Sequence, residues 1–107
     1  MEFTIPLKPL SVNDCWQGRR FKTPAYKQYE QDCMWFIKGR KITGEVEVRV
    51  KLFVSNYRRD IDNPIKPLLD IIVKAGLIDD DSKVKKLVVE KFKSKDEKTE
   101  IIINKYS

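Results

Sequence analysis

Apolar positions along this chain recur in two periods, one of two residues and one of three to four, and these lay out its elements. Residues 2–7 place Phe3, Ile5 and Leu7 on one face, as a strand does, and Pro6 points to an edge or a strand end. Residues 8–24, KPLSVNDCWQGRRFKTP, break the pattern with Pro, Ser, Asn, Asp and Gly and predict a loop. Residues 25–38 repeat Tyr26, Tyr29, Cys33, Phe36 and Ile37 at helical spacing, a face suited to core packing. Thr23 and Pro24 suit its N-cap and first position, and Gly39 is a stop signal. Residues 45–54 alternate strictly, with Val46, Val48, Val50, Leu52 and Val54 opposite Glu45, Glu47, Arg49, Lys51 and Phe53. That is the pattern of a half-exposed strand.

A second helix follows. Asp62 or Asn63 can cap it, Pro64 sits near its first position, Pro67 falls in its first turn and Gly76 closes it. Ile65, Leu68, Leu69, Ile72 and Val73 form its apolar stripe, and Lys66 lies off that stripe. Residues 84–92 and 99–106 predict two final strands, read as a hairpin closed by the charged turn KSKDEK. No repeat or linker interrupts the chain, and its 107 residues are expected to form one domain, residues 1–107.

Charge narrows the chemistry. The chain carries 22 Lys and Arg against 16 Asp and Glu, a net +6. Five of those acids are Asp60, Asp62, Asp79, Asp80 and Asp81, so the rest of the surface is more positive than the total implies. An acidic pocket in a phosphate-binding face has this distribution. The absence of histidine excludes Ser-His-Asp and Cys-His catalysis and Cys/His zinc sites. Cys15 and Cys33 are expected to stay reduced. With no apolar run near the ~20 residues of a membrane span, and no signal-like start, a cytoplasmic protein with no membrane partner is expected.

The acids lie around the second helix. Asp60 and Asp62 precede it, beside the N–H groups and dipole that favour anions, and Asp79 to Asp81 follow its end. Converging carboxylates are hard oxygen ligands suited to Mg²⁺ or Mn²⁺ held against a phosphate. Lys66 and Arg59 could offset the charge of a pentacovalent transition state. Taken singly, each residue has a plainer use. Asp62 serves as a cap, Asp79 to Asp81 as a solvated turn, and Lys66 as the i, i+4 partner of Asp70. A helix of about 12 residues spans ~18 Å, so the chain after it must return to bring the two acidic groups together. The 8–24 loop interleaves Asn13, Trp16, Arg19, Arg20 and Lys22, a set suited to phosphates and exposed bases, or to a solvated loop pinned by Trp16.

The ordered set RRDIDNPIKPLLDIIVKAGLIDDDSKV resembles the signature of the RusA family of Holliday junction resolvases: basic residues, D-x-D-N, a lysine four residues on, an amphipathic helix and a D-D-x-x-V turn. The start P-L-S-V-N-D-C-W is similar to the family's P-x-S-x-N. The resemblance implies an α+β fold with a mixed β-sheet and two helices. It also implies a homodimer that binds four-way junction DNA and nicks two strands symmetrically with Mg²⁺ or Mn²⁺. Carried onto matching positions, it makes Asp60, Asp62 and Asp81 the metal ligands, with Asp80 their neighbour, and Lys66 the lysine near the scissile phosphate. Arg59, Asn63 and the Ser11–Asn13 loop would contact DNA, joined by Arg19, Arg20 and Arg58 from the basic segments. Asp79 is an extra acid, and spacing favours Asp81 as the ligand. The rival readings are a non-catalytic nucleic-acid-binding module and a metal-dependent nuclease of other nucleic acids.

Overall fold

The strictly alternating run forms strand β4 (Val46–Val54), and all five of its inward positions, Val46 through Val54, are at most 3% exposed. The structure, a computed structural model, describes residues 1–10, 16–17, 21–56, 61–62 and 64–107, with the backbone alone for 16, 17 and 21. Among these residues β1 (Glu2–Ile5), β5 (Val84–Lys93) and β6 (Lys98–Lys105) join β4 in a four-stranded sheet of order β1-β6-β4-β5. β6 runs antiparallel to both β1 and β4, and β5 runs parallel to β4. The expected α+β fold with a mixed sheet and two helices is what forms, and Pro6 follows an edge strand as its ring requires.

The hairpin expected from the last two strands does not form, because β4 lies between them. Charged residues 94–97 pass over the end of β4 instead. The Ser94 N–H donates to the Val54 carbonyl at 2.9 Å, and the Ser55 N–H and hydroxyl donate to Glu97 Oε1 at 3.0 and 2.7 Å. Burial explains the order. Ile101 and Ile103 of β6 are fully buried beside β4, whereas Leu87 of β5 is 43% exposed on the sheet edge.

The 8–24 segment carries more order than a loop, since β2 (Trp16–Gln17) pairs antiparallel with β3 (Phe21–Lys22). Helix α1 (Pro24–Met34) starts as its sequence directs, with Thr23 Oγ1 accepting from the Tyr26 N–H at 3.1 Å. It stops at Met34, before Gly39, so Phe36 and Ile37 reach the core as half-buried residues beyond the helix. Helix α2 (Ile65–Lys74) buries Ile65, Pro67, Leu68, Ile71 and Ile72. Its buried face is thus rotated from the expected stripe, and Leu69 and Val73 are only partly covered. Ile71, outside that stripe, is fully buried in the core.

Helix α2 ends in a Schellman motif. The Leu77 N–H donates to the Ile72 carbonyl and the Gly76 N–H to that of Val73, with Gly76 at φ +80°. Both helices share one core with the inner face of the sheet. No helix among the described residues is long and apolar enough to cross a membrane.

Candidate active site

The β4–α2–β5 crossover holds the D-x-D motif before the helix and the acidic turn after it. After Leu77 the chain leads to the acidic turn and is anchored where the Ile42 N–H donates to the Leu77 carbonyl at 2.9 Å and Ile42 bridges Ile78. Six extended residues reach ~20 Å, against ~15 Å for ten helical ones, so the acidic turn can regain the helix start. Lys66 in the first turn of α2 proves the return. Its Nζ donates to Asp81 Oδ2 at 2.7 Å and to Asp70 Oδ1 at 3.1 Å. The i, i+4 pair expected from the sequence is therefore present, and a second carboxylate shares the same ammonium. Hydrogen bonds from Asp81 first and Asp70 second push the Lys66 pKa above its ordinary value.

The three consecutive aspartates have separate tasks. Asp79 faces the 41–44 segment, where Oδ1 pairs with Lys41 at 2.8 Å and Oδ2 accepts from the Gly44 N–H at 3.0 Å. The Gly44 N–H, then Lys41, hold its carboxyl below the usual range. Asp80 caps the 3-10 turn Asp81–Lys83 by accepting from the Ser82 N–H at 3.2 Å, and its hydrogen bonds to Ser82 hold its pKa down as well. Asp81 alone of the three turns to Lys66. Its side chain is about one-third exposed, open to a ligand from solvent.

Asp62 is exposed and lies one helical turn before Lys66. The side-chain cap expected of it is not made. Pro64 is the N-cap, no side-chain cap is made among the described residues, and Asp62 contributes its backbone carbonyl, which accepts from the Ile65 N–H at 3.0 Å. Asp60, Arg58, Arg59 and Asn63 lie outside the described residues, as do Ser11, Asn13, Arg19 and Arg20. Arg19 and Arg20 fall in sequence between the paired strands β2 and β3. Among the described residues no three acidic or cysteine side chains stand together as a ready cage for a metal ion.

One charged cluster, at the far end of α2, is not visible as a cluster in the sequence pattern. Glu30 on α1, 7% exposed, accepts from Lys22 Nζ of β3 at 2.9 Å and from Lys74 Nζ in the last turn of α2. It ties the basic hairpin to the helix that carries Lys66. Its position on the Tyr26–Tyr29–Cys33 face was the available signal, since an acid on a buried stripe calls for a cation.

Known proteins add to this geometry. The model of the family described as Endodeoxyribonuclease RusA matches residues 12–104. A crossover junction endodeoxyribonuclease RusA of Aquifex aeolicus (strain VF5) is 39% identical over 70 residues, covering 61% of this chain and 56% of that protein. A protein of the same name from Enterobacteria phage HK97 is 30% identical over 88 residues, covering 75% of this chain and 72% of its own. The match thus spans little more than half the length of the Aquifex protein. The family match runs from before β2 into the last residues of β6 and takes in the D-x-D motif, Lys66 and the acidic turn, so the chain belongs to the RusA family of endodeoxyribonucleases.

Proposed function

We propose that this protein is a metal-dependent endodeoxyribonuclease that resolves four-way DNA junctions by paired symmetric nicks. The observation that carries the reading is the 2.7 Å contact of Lys66 with Asp81, which supports one site at the start of α2 shared by the D-x-D motif and the acidic turn. Asp60, Asp62 and Asp81, with Asp80 beside them, would hold Mg²⁺ or Mn²⁺. These are hard carboxylate oxygens in a chain without histidine, and the donor set fits such a cation in kind. When bound, the metal supplies Lewis-acid activation of the phosphodiester and of water. Lys66, already poised as a fully charged ammonium, would neutralise a phosphoryl oxygen. Arg58, Arg59 and Asn63, with the 11–20 segment, would orient the DNA backbone.

Two nicks related by symmetry need two sites, and a homodimer supplies them. The outer face of the sheet supports a second copy as its occupant. Lys51 stands opposite both Glu90 and Glu100, and Phe53 stacks on Phe92 at 5.2 Å, so the face mixes charge signs in a way that suits itself better than phosphate. The phage HK97 relative supports a phage or prophage setting, and DNA as the substrate would place the enzyme in the cytoplasm.

The test is cleavage of a labelled mobile four-way junction with and without Mg²⁺, beside an Asp62→Asn control. Paired nicks that need both the metal and Asp62 are the expected result. Salt-sensitive binding with no cutting in Mg²⁺ or Mn²⁺ would make the chain a binding module and return the aspartates to cap and turn duty. Faster cutting of flaps or single strands would make it a nuclease of another substrate.

A further inference from the structure

Residues 35–44, between α1 and β4, border the site just described, and beyond Lys41 and Gly44, which hold Asp79, they have no part in it. Trp35 is 81% exposed, an unusual place for the side chain with the most apolar surface to lose. Its base is held, because its N–H donates to the Asp32 carbonyl at 3.2 Å and the next two residues, Phe36 and Ile37, pack on the core. From Cys33 to Gly44 the sequence contains no acid, while Lys38, Arg40 and Lys41 supply three cations in four positions.

The strip is fixed relative to the acidic turn. Lys41 pairs with Asp79, the Gly44 N–H donates to the same carboxylate, and Ile42 bridges Ile78, three residues before Asp81. Gly39 shapes the bend between Lys38 and Arg40. It sits at φ +147°, and a Cβ there would meet Met1 Sδ at 1.8 Å, so only glycine suits. Lys41 is spent on Asp79, but Lys38 and Arg40 are exposed and make no ion pair with an acid among the described residues.

We propose that Trp35, Lys38 and Arg40 form a second DNA-contacting surface, in which the indole stacks on a base unstacked beside the branch point and the two cations take the flanking phosphates. This rests on the junction-cutting reading above. A cationic strip matches the charge of DNA, and an exposed indole face matches a nucleobase, which stacks regardless of sequence. In continuous duplex both faces of each base are already covered, so the indole has a partner only where pairing is interrupted. A protein partner is the poorer fit, since Phe36 and Ile37 pack against the core and the exposed charged side chains that follow, Lys38, Arg40 and Lys41, are all cations.

The experiment measures binding of the full chain to a fluorescent four-way junction and to a linear duplex built from the same arms, without divalent metal. Wild type, Trp35→Ala and Trp35→Phe are compared, with thermal melts as a fold control; so exposed a side chain should leave them unchanged. Trp35→Ala should weaken junction binding about tenfold or more, within the range of a base–aromatic stack, and duplex binding by less than about twofold. Trp35→Phe should recover most of the loss. The wild-type minus Trp35→Phe emission, which isolates this indole from Trp16, should be quenched by junction and not by duplex. Wild-type affinity in Trp35→Ala, or equal loss on both DNAs, overturns the stacking surface and leaves the junction-cutting reading intact. If the wild type itself prefers duplex to junction, both fall.

Discussion

The triad Lys22–Glu30–Lys74 makes a quantitative prediction. Glu30→Gln keeps the side-chain volume and one acceptor, so it opens no cavity and removes chiefly the charge. At neutral pH the carboxylate accepts from two ammonium groups, and a charge-assisted hydrogen bond contributes ~1.5–3 kcal/mol. The Lys22 and Lys74 side chains are 33% and 57% exposed, so solvent screening pulls each contribution toward about 1 kcal/mol. The expected loss is about 2 kcal/mol, or roughly 8–16 °C in Tm for a domain of this size. Burial raises the Glu30 pKa, but the hydrogen bonds and charges of Lys74 and Lys22 outweigh it and hold the group below its ordinary value. A carboxylate depressed in the folded state contributes its stability above its unfolded pKa, about 4.3, and loses it as pH falls through the lower folded value. Urea melts at pH 7 should show the full gap between wild type and Glu30→Gln, and it should close steadily below about pH 4. A gap that does not narrow as pH falls below about 4, or is already under ~0.3 kcal/mol at pH 7, would refute the triad as a stabilising unit.

Lys66→Ala should reduce single-turnover junction cleavage by about a hundredfold or more while binding changes by less than about threefold, read by gel cleavage and anisotropy. Equal losses in both would reduce Lys66 to a phosphate contact. Gly76→Ala meets no steric neighbour, so its cost should come from the backbone alone, ~1–2 kcal/mol at φ +80° in chemical denaturation. A neutral result would mean that the Schellman cap relaxes freely. Burial pushes the Cys33 thiol up to about 12, so in a Cys15→Ser background a thiol reagent at pH 8 should react only on unfolding. Prompt reaction of the native protein would show that α1 opens locally.

Several elements were legible because their signal is local. The alternation of 45–54 yields β4 with every expected position buried, and Thr23-Pro24 starts α1 through the expected cap. Gly76 closes α2 as expected, since only a residue at ease with positive φ lets the chain reverse there. The last two strands were misjudged together. A short charged turn between apolar runs suits a hairpin, but the turn also suffices to pass over the end of β4, and burial of Ile101 and Ile103 decides for that arrangement. Of the two caps open to α2, Asp62 does not serve, because Pro64 takes the N-cap position, and Asn63 lies outside the described residues.

By itself the sequence determined the period of the main elements and the facing of β4, the exclusion of histidine chemistry, and the association of a D-x-D motif, a lysine and an acidic turn with one helix. Periodicity and capping are readable because they reflect each residue's own position relative to a core or a helix end. Tertiary structure alone decided which aspartate does what: Asp79 holds the 41–44 segment, Asp80 caps a turn and Asp81 meets Lys66. It also decided that β4 separates β5 from β6 and that Glu30 joins a basic hairpin to α2. The three neighbouring aspartates are chemically identical, and while Asp80 caps a turn two residues on, Asp79 and Asp81 take their tasks from Lys41 and Lys66, 38 and 15 residues away, which only the fold brings within reach.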